Sequence, residues 1–466
     1  MAQSGTVAIP KRLPLAAMPS NRGTSAAYDA KLVNCYVEKT AEGDYWIYKR
    51  GGLAASSQPS GGAATGLGMY NWLGDIYAVF GAVLYKNGSS LGAVDSTASY
   101  RFDSTLGATP RLVLGNGAKA YTYESGAGLL QITDGDFPAA FVKGWCYLDG
   151  TLYVATAAAT VQGSDINDPT AWDPLNYLTA QIEPDGGVAL AKQLVYAVVF
   201  KQWSTEVFYD AGNATASPLG SVQGAKINYG CVTADSVQEI DGMLFWVCTN
   251  KSASTQVIRM EGLKVEIVST DPVERLLDDA GFTTTYSFVL KDNGHRFYVL
   301  TSVPTNITLA YDLDQKMWSQ WTDVDGNYLP IVASTYSSTT LGHFLQHATD
   351  GYIYTYSIAN YTDAGSVITV DLVTPNFDGG VYRRKQLNVM KFDADQTAGA
   401  VLQVRHNDSD FSPTGWTNFR QVNLGQQQPM LTQEGTFVRR AYNLRHQSQT
   451  PLRIKAVELQ IDMGVL

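Results

Sequence analysis

Histidine and cysteine are scarce in this chain, charge is thin, and signals for helix are almost missing. Five histidines stand in 466 residues: His295, His343, His347, His406 and His446. The pair in "GHFLQH" has the i, i+4 spacing of a helical zinc site, but it lacks the HExxH glutamate and sits in a strand-like run. The four cysteines, Cys35, Cys146, Cys231 and Cys248, form no CxxC pair and are too few to staple a chain of this length. They read as buried thiols, which makes N-x-S/T triplets such as 213–215 chance matches. No apolar run is long enough for a signal peptide at the start or for a bilayer span later, so a soluble, cytosolically made protein with no membrane contact is expected. There is no GxSxG and no Walker loop, and GxG-type spacings fall in turns with no helix after them. Acidic turns at 323–327 ("DVDGN") and 406–410 ("HNDSD") lack the ligand ladder of a calcium loop. No metal, cofactor or catalytic residue is expected.

Charged residues make up 16% of the chain, for a net −10. Lys and Arg against Asp and Glu number 7 and 4 over residues 1–55, 15 and 30 over 56–365, and 11 and 9 over 366–466. An acidic body between two mildly basic ends argues against a nucleic-acid reader, which needs a basic surface to displace counterions.

Glycine and tyrosine are abundant, at 43 and 27 residues, and they tilt the chain toward strands and tight turns. Six segments share one cadence, a turn glycine between two strand-like runs: "YNWLGDIYAVF", "RLVLGNGAKAYTY", "CYLDGTLYV", "QEIDGMLFWV", "VLKDNGHRFYVL" and "HATDGYIYTY". Their glycines are Gly74, Gly117, Gly150, Gly242, Gly294 and Gly351, and a seventh strand pair, around Ala191-Lys192-Gln193, lacks the glycine. A recurrence of about 40–50 residues fits four-stranded propeller blades. The fold class expected is all-β: a propeller over 57–365, seven-bladed by this count and six-bladed if two early hairpins share a blade. An N-terminal extended segment with strands, 1–56, precedes it, and a C-terminal β-sandwich, 366–466, follows. Aromatic residues at alternate strand positions, such as Tyr70 and Trp72 or Tyr352, Tyr354 and Tyr356, read as core between blades.

One stretch predicts a helix. In "STDPVERLLDDAG" Asp271 is placed to cap, Pro272 suits the first turn, Val273, Leu276 and Leu277 share a face, and Gly281 ends the run. Basic residues of the C-terminal region, Arg383, Arg384 and Lys385 with Arg439 and Arg440, are the candidate subunit interface. Neighbours in a strand face opposite ways, so one of each arginine pair is expected outward to meet carboxylates of another copy.

An enzymatic alternative is a propeller glycosidase, and a binding alternative is a carbohydrate-binding adhesin. "SDFSPTGW" at 409–416 is Asp-box-like, but such a turn is structural and occurs once, outside the repeats. The middle of the chain is more distinctive: Pro184-Asp185-Gly186, "STEVFYDAG" at 204–212, "INYGC" at 227–231 and "VSTDPVERLL" at 268–277. Taken in order, with "LVNCYVE" before them and "LRIKAVELQI" after, these segments resemble the packaged-DNA stabilization, or tail hub, proteins of short-tailed bacteriophages. The resemblance implies a non-enzymatic virion protein of the tail, assembled in the bacterial host cytoplasm. It implies a homo-hexameric ring that joins portal and adaptor proteins, closes the channel over packaged DNA, and carries a tail needle or plug and tailspikes or fibres. DNA is implied only as a passing, non-specific contact, and the helix as a family feature inserted between two blades.

Overall fold

A computed structural model describes residues 9–16, 30–40, 43–213, 215–222, 224–251 and 255–463. Seven four-stranded antiparallel meanders follow one another among the described residues. Five are separate sheets, at 66–93, 101–131, 146–179, 187–221 and 238–267. The sixth, 285–320, continues into a nine-stranded sheet, and the seventh, 331–357, receives its fourth strand, Gly52–Ser57, from near the start of the chain. First strands contact one another around a ring, the 3-10 turn Ala234–Ser236 fills the step from blade 4 to blade 5, and the first strand of blade 7 returns to that of blade 1. This is a closed β-propeller. Gly74 and Gly117 belong to different blades, which settles the count at seven.

Turn chemistry explains why the hairpins form. Asp149-Gly150, Asp241-Gly242 and Asn293-Gly294 connect the first two strands of their blades, and every one of these residues has positive φ, as tight two-residue hairpins require. Aromatic and aliphatic residues then fill the spaces between blades. Trp72 and Tyr77 of blade 1 pack with Tyr121 and Tyr123 of blade 2, and Phe245 of blade 5 stacks on Tyr298 of blade 6.

The N-terminal segment is not a separate region. Cys35–Lys39 and Tyr45–Lys49 join Arg453–Met463 and Lys385–Ala394 in one sheet of the sandwich, while Lys31–Val33 lies between Met317–Gln320 of blade 6 and Val370–Val373 of the other. The division expected at 56/57 and 365/366 therefore differs from the observed one: the strands Ile9–Arg12, Lys31–Val33, Cys35–Lys39 and Tyr45–Lys49 build the sandwich with the C-terminal strands, and Gly52–Ser57 closes the propeller. One core of the sandwich holds Leu32, Cys35, Val37 and Ile47 beside Leu387, Phe392, Leu444 and Leu459, with Met317 of blade 6 among them. The physical reason is partner availability. The C-terminal strands leave an apolar face open, and the N-terminal strands carry the apolar residues that cover it.

Buried Arg50 joins these parts. Its Nη1 and Nη2 contact the Asp363 carboxylate at 3.2 and 2.6 Å, Nε donates to Asn34 Oδ1 at 2.9 Å, and the remaining two N–H groups reach the carbonyls of Gly51 at 3.0 Å and Thr322 at 2.9 Å. All five guanidinium donors are thus used. Gly51 and Gly52 permit the crossing from sandwich to blade 7, because a Cβ on them would lie 2.6 Å from the Ser357 carbonyl oxygen and 2.2 Å from that of Thr362.

The helix, Asp271–Asp278, lies between blades 5 and 6. Val273 and Leu277 are buried with Phe245, Tyr298 and Trp318, and Leu276 packs at the edge. Two details differ from the sequence reading. Thr270, not Asp271, is the N-cap, and it makes no side-chain capping bond; Glu274 instead accepts from Ser269 Oγ at 2.9 Å. Gly281 does not end the helix through a left-handed turn, since the C-cap is Asp279 in right-handed conformation.

Candidate functional site

A cavity of about 950 Å³ lies on the propeller axis, lined by the first strands of six blades and, at blade 3, by Lys143, Gly144 and Trp145 just ahead of its first strand. One ion pair, between Lys143 and Asp235, stands in its lining. Lys143 Nζ lies 2.8 Å from Asp235 Oδ2 and 2.6 Å from Ser99 Oγ, while Arg101 Nη2 donates to the Ala234 carbonyl at 2.7 Å. Lys192 Nζ is spent on the Tyr147 carbonyl at 2.7 Å, and burial holds the Asp103 carboxyl above its ordinary range. A cavity this size suits a small molecule and is far too small to pass a nucleic-acid duplex. These cross-links tie blades 2, 3 and 5 to one another.

Three of the four distinctive motifs meet at blade 4, and the fourth, 268–277, leads into the helix between blades 5 and 6. Lys201, fully buried, contacts Asp185 Oδ1 at 3.0 Å, Glu206 Oε1 at 2.6 Å and the Glu183 carbonyl at 2.7 Å. Asp185 also accepts from Trp203 N at 2.7 Å and from Ser204 N and Oγ at 3.0 and 2.9 Å. Burial alone would raise the Asp185 carboxyl, but these donors hold it below its usual value. Gly230 of "INYGC" rests against Gln202, where a Cβ would meet the carbonyl oxygen at 2.1 Å. The proline-aspartate-glycine turn and the "STEVFYD" strand are therefore tied together around buried Lys201, and Thr205 Oγ1 donates to the Tyr229 carbonyl of "INYGC" at 2.8 Å.

Among the candidate interface residues, Arg383 and Arg384 are both exposed, against the expectation of one inward, because they precede the strand Lys385–Ala394 and do not alternate; Arg439 is exposed as well, 3.4 Å from Asp410. Lys385 and Arg440 require correction, because both are buried inside the sandwich. Lys385 Nζ donates to the carbonyls of Arg383 and Val438, each at 2.7 Å. Arg440 grips Asp408 with two bonds at 2.6 and 2.8 Å, donates to the Glu434 carbonyl at 2.7 Å, and lies over the Phe437 ring. A buried guanidinium must be paired, and the nearest carboxylate was in its own domain.

Other singled-out residues also have structural partners. His343 and His347 lie on the strand Gly342–His347, and His347 Nδ1 accepts from the backbone of Thr349 and Asp350, both at 3.2 Å. Asp323 caps its own turn by accepting from Asp325 N and Asn327 N. All four cysteines are buried and unpaired.

One feature of the turns had no sequence signal. Leu73, Leu194 and Leu341 stand at φ +53, +52 and +52 in the connections between first and second strands, at 73%, 60% and 77% exposure. A branched side chain in the left-handed region costs about 1 kcal/mol or more, and exposing it forgoes burial as well. Leu106 and Ile166, also exposed, occupy turns at the same end of blades 2 and 3, where Tyr147 Oη links the Leu106 carbonyl to Asn167. This end of the propeller carries apolar tips on several blades.

The architecture defines a class: a seven-bladed propeller closed by an N-terminal strand and merged with a β-sandwich, its charged motifs serving as internal fastenings. The sequence profile of the phage-stabilisation family described as Bacteriophage P22 Gp10, beta-propeller, matches residues 31–330, and the chain belongs to this family of bacteriophage structural proteins. No curated protein matches the chain. Among solved structures, the extracellular domain of a hybrid two-component system from B. thetaiotaomicron is 10% identical with TM-score 0.43, over 66% of this chain and 39% of that one. The N-terminal domain of Nup159 is 10% identical with TM-score 0.40, over 71% and 99%. A catalytically inactive virginiamycin B lyase from Staphylococcus aureus with quinupristin is 7% identical with TM-score 0.43, over 66% and 99%. At these scores none of the three bears on function.

Proposed function

We propose that this protein is a non-enzymatic tail hub: a head-to-tail connector component, built as a homo-hexameric ring in the virion tail and assembled in the bacterial host cytoplasm. It seats on portal and adaptor proteins, closes the channel over packaged DNA, which it touches without sequence preference, and carries a tail needle or plug and tailspikes or fibres. Family membership over 31–330 is the observation that carries this reading. The structure supports it in two ways. Three of the family-like motifs are held together around the buried ion pairs of Lys201, and a nine-stranded sheet runs without a break from blade 6 into the sandwich. The apolar tips Leu73, Leu194 and Leu341 supply a face for a further tail protein, since exposed apolar groups held at a conformational cost mark a contact surface.

Electron microscopy of virions and of the purified protein tests the proposal. A ring of this chain on the tail axis is expected, with no turnover of host polysaccharide. A protein found off the axis, or hydrolysis abolished by one Asp or Glu substitution, overturns it.

A further inference from the structure

On the outer face of the sandwich, away from its core, Arg405 is held between two aromatic rings, its guanidinium carbon 4.9 Å from the Trp416 centroid and 4.5 Å from that of Phe419. Its Nε donates to Asn443 Oδ1 at 2.9 Å. The one carboxylate nearby, Asp371, is already taken: Arg445 reaches it through Nε at 3.2 Å and Nη2 at 2.8 Å, and Asn443 donates to it at 2.7 Å. Arg445 also lies 4.8 Å from the Phe419 ring, so two guanidiniums share one ring and one carboxylate. Among the described residues no carboxylate stands in ion-pair contact with Arg405, whereas Arg50 and Arg440, buried elsewhere, each grip one with two bonds. The cluster adjoins an open sheet edge, because Arg420–Asn423 is the last strand of its sheet.

An arginine stiffened by stacking, with its fork unfilled and a second cation beside it, is set up for a bidentate carboxylate. We propose that the Arg405–Trp416–Phe419 cluster docks a carboxylate from the acidic propeller of a second copy of this chain. Charge complementarity selects this occupant. Residues 56–365 hold 30 acids against 15 bases, while 366–466 hold 9 against 11. DNA fits less well, because tracking phosphates takes a row of basic groups, and both rings that would stack on bases are covered by guanidiniums. The inference rests on the ring reading above and names a surface within it.

Mass photometry of the full chain at low and high salt tests the site, comparing the parent with Arg405→Gln and Arg405→Lys. A control is Lys391→Gln, an exposed position on the other sheet of the sandwich, and thermal melting checks folding. The parent should self-associate more strongly at low salt. Arg405→Gln should weaken association by roughly 10- to 100-fold and flatten its salt dependence, Arg405→Lys should recover only part, and the control should match the parent. Should the glutamine variant fail to fold, the lysine variant carries the same comparison. Association by Arg405→Gln equal to the parent overturns the docking site and leaves the ring reading intact; a parent that stays monomeric overturns both. DNA binding by the parent that Arg405→Gln removes, with association unchanged, assigns the cluster to phosphate and overturns the proposal.

Discussion

The propeller and the sandwich are both all-β, but they are assembled from opposite kinds of contact. Most blades pair strands joined by short turns, and the aspartate-glycine and asparagine-glycine dipeptides fix those turns. The sandwich pairs strands from the two ends of the chain, as where Tyr48 faces Arg453 and Cys35 lies in one core with Leu459. Loop-closure entropy makes the second kind slower to form and dependent on specific fastening. Arg50 provides the fastening where the two regions meet.

Asp363→Ala should break the link between them most severely. It leaves the Arg50 guanidinium buried without its carboxylate, for an expected loss of about 3–5 kcal/mol. In calorimetry the parent should unfold in one coupled transition and the variant in two. A single transition at the parent temperature would show that the regions are joined by other contacts.

Leu277→Ala should act on the propeller alone. It opens a cavity between blades 5 and 6 beside Trp318 and Tyr298, for about 3 kcal/mol. Faster hydrogen exchange is expected in 238–320 and unchanged exchange in the sandwich strands. Uniform acceleration through both regions would show that they unfold together.

Acid should separate the regions by sign. In the sandwich, burial and then Lys49 hold His446 down to about 3. The unfolded chain binds that proton first, so stability is lost as pH falls below the unfolded value, by about 1.4 kcal/mol for each unit below about 6.5. In blade 6 burial raises Asp292 to about 6. His295 is raised as well: burial works to lower it, but the 2.6 Å bond to Asp312 prevails. Groups with raised folded values stabilise below the unfolded value, and that contribution is lost as pH rises through the folded one. Between about pH 7 and about pH 4.5, corrected hydrogen exchange should therefore show 441–446 loosening while 285–302 does not. His446→Gln should abolish the first effect, and equal loosening of both segments would contradict the assignment.

The smallest effect has the opposite direction to most substitutions. Leu73→Asn with Leu194→Gly puts residues suited to positive φ where leucines now stand, so the melting temperature should rise, for a gain of about 1 kcal/mol. Reconstitution onto particles lacking the later tail parts should at the same time become less efficient. A stabilised variant that assembles as well as the parent would leave the leucines without a docking role.

How far the blades could be read from sequence follows from the same contrast. Six glycine turns and their flanking runs were legible because both determinants lie within about ten residues of each other. The phase was harder. Gly117 and Gly351 mark second-to-third strand turns, whereas Gly74, Gly150, Gly242 and Gly294 mark first-to-second ones, which explains the uneven spacings. The seventh turn is Leu194-Val195 rather than 191–193, which are strand residues, and a leucine at positive φ gives no turn signal. Alternation had no purchase on the arginine pairs, because Arg383, Arg384 and Arg439 lie outside any strand and Arg440 in an isolated bridge; Arg440 is inward because Asp408, across a loop, pairs with it.

The sequence by itself determined the β class, the hairpin repeat, the short helix and the family, because turn conformation, strand alternation and ordered motifs are written in neighbouring residues. Tertiary structure alone decided that the strands of 31–39 and 45–49 build the sandwich, that 52–57 closes the seventh blade, and that Lys385 and Arg440 are fastenings while Arg405 keeps an open fork. Those outcomes depend on which strand covers which apolar face and which carboxylate reaches a buried cation. Both are settled between residues hundreds of positions apart, where the local pattern is silent.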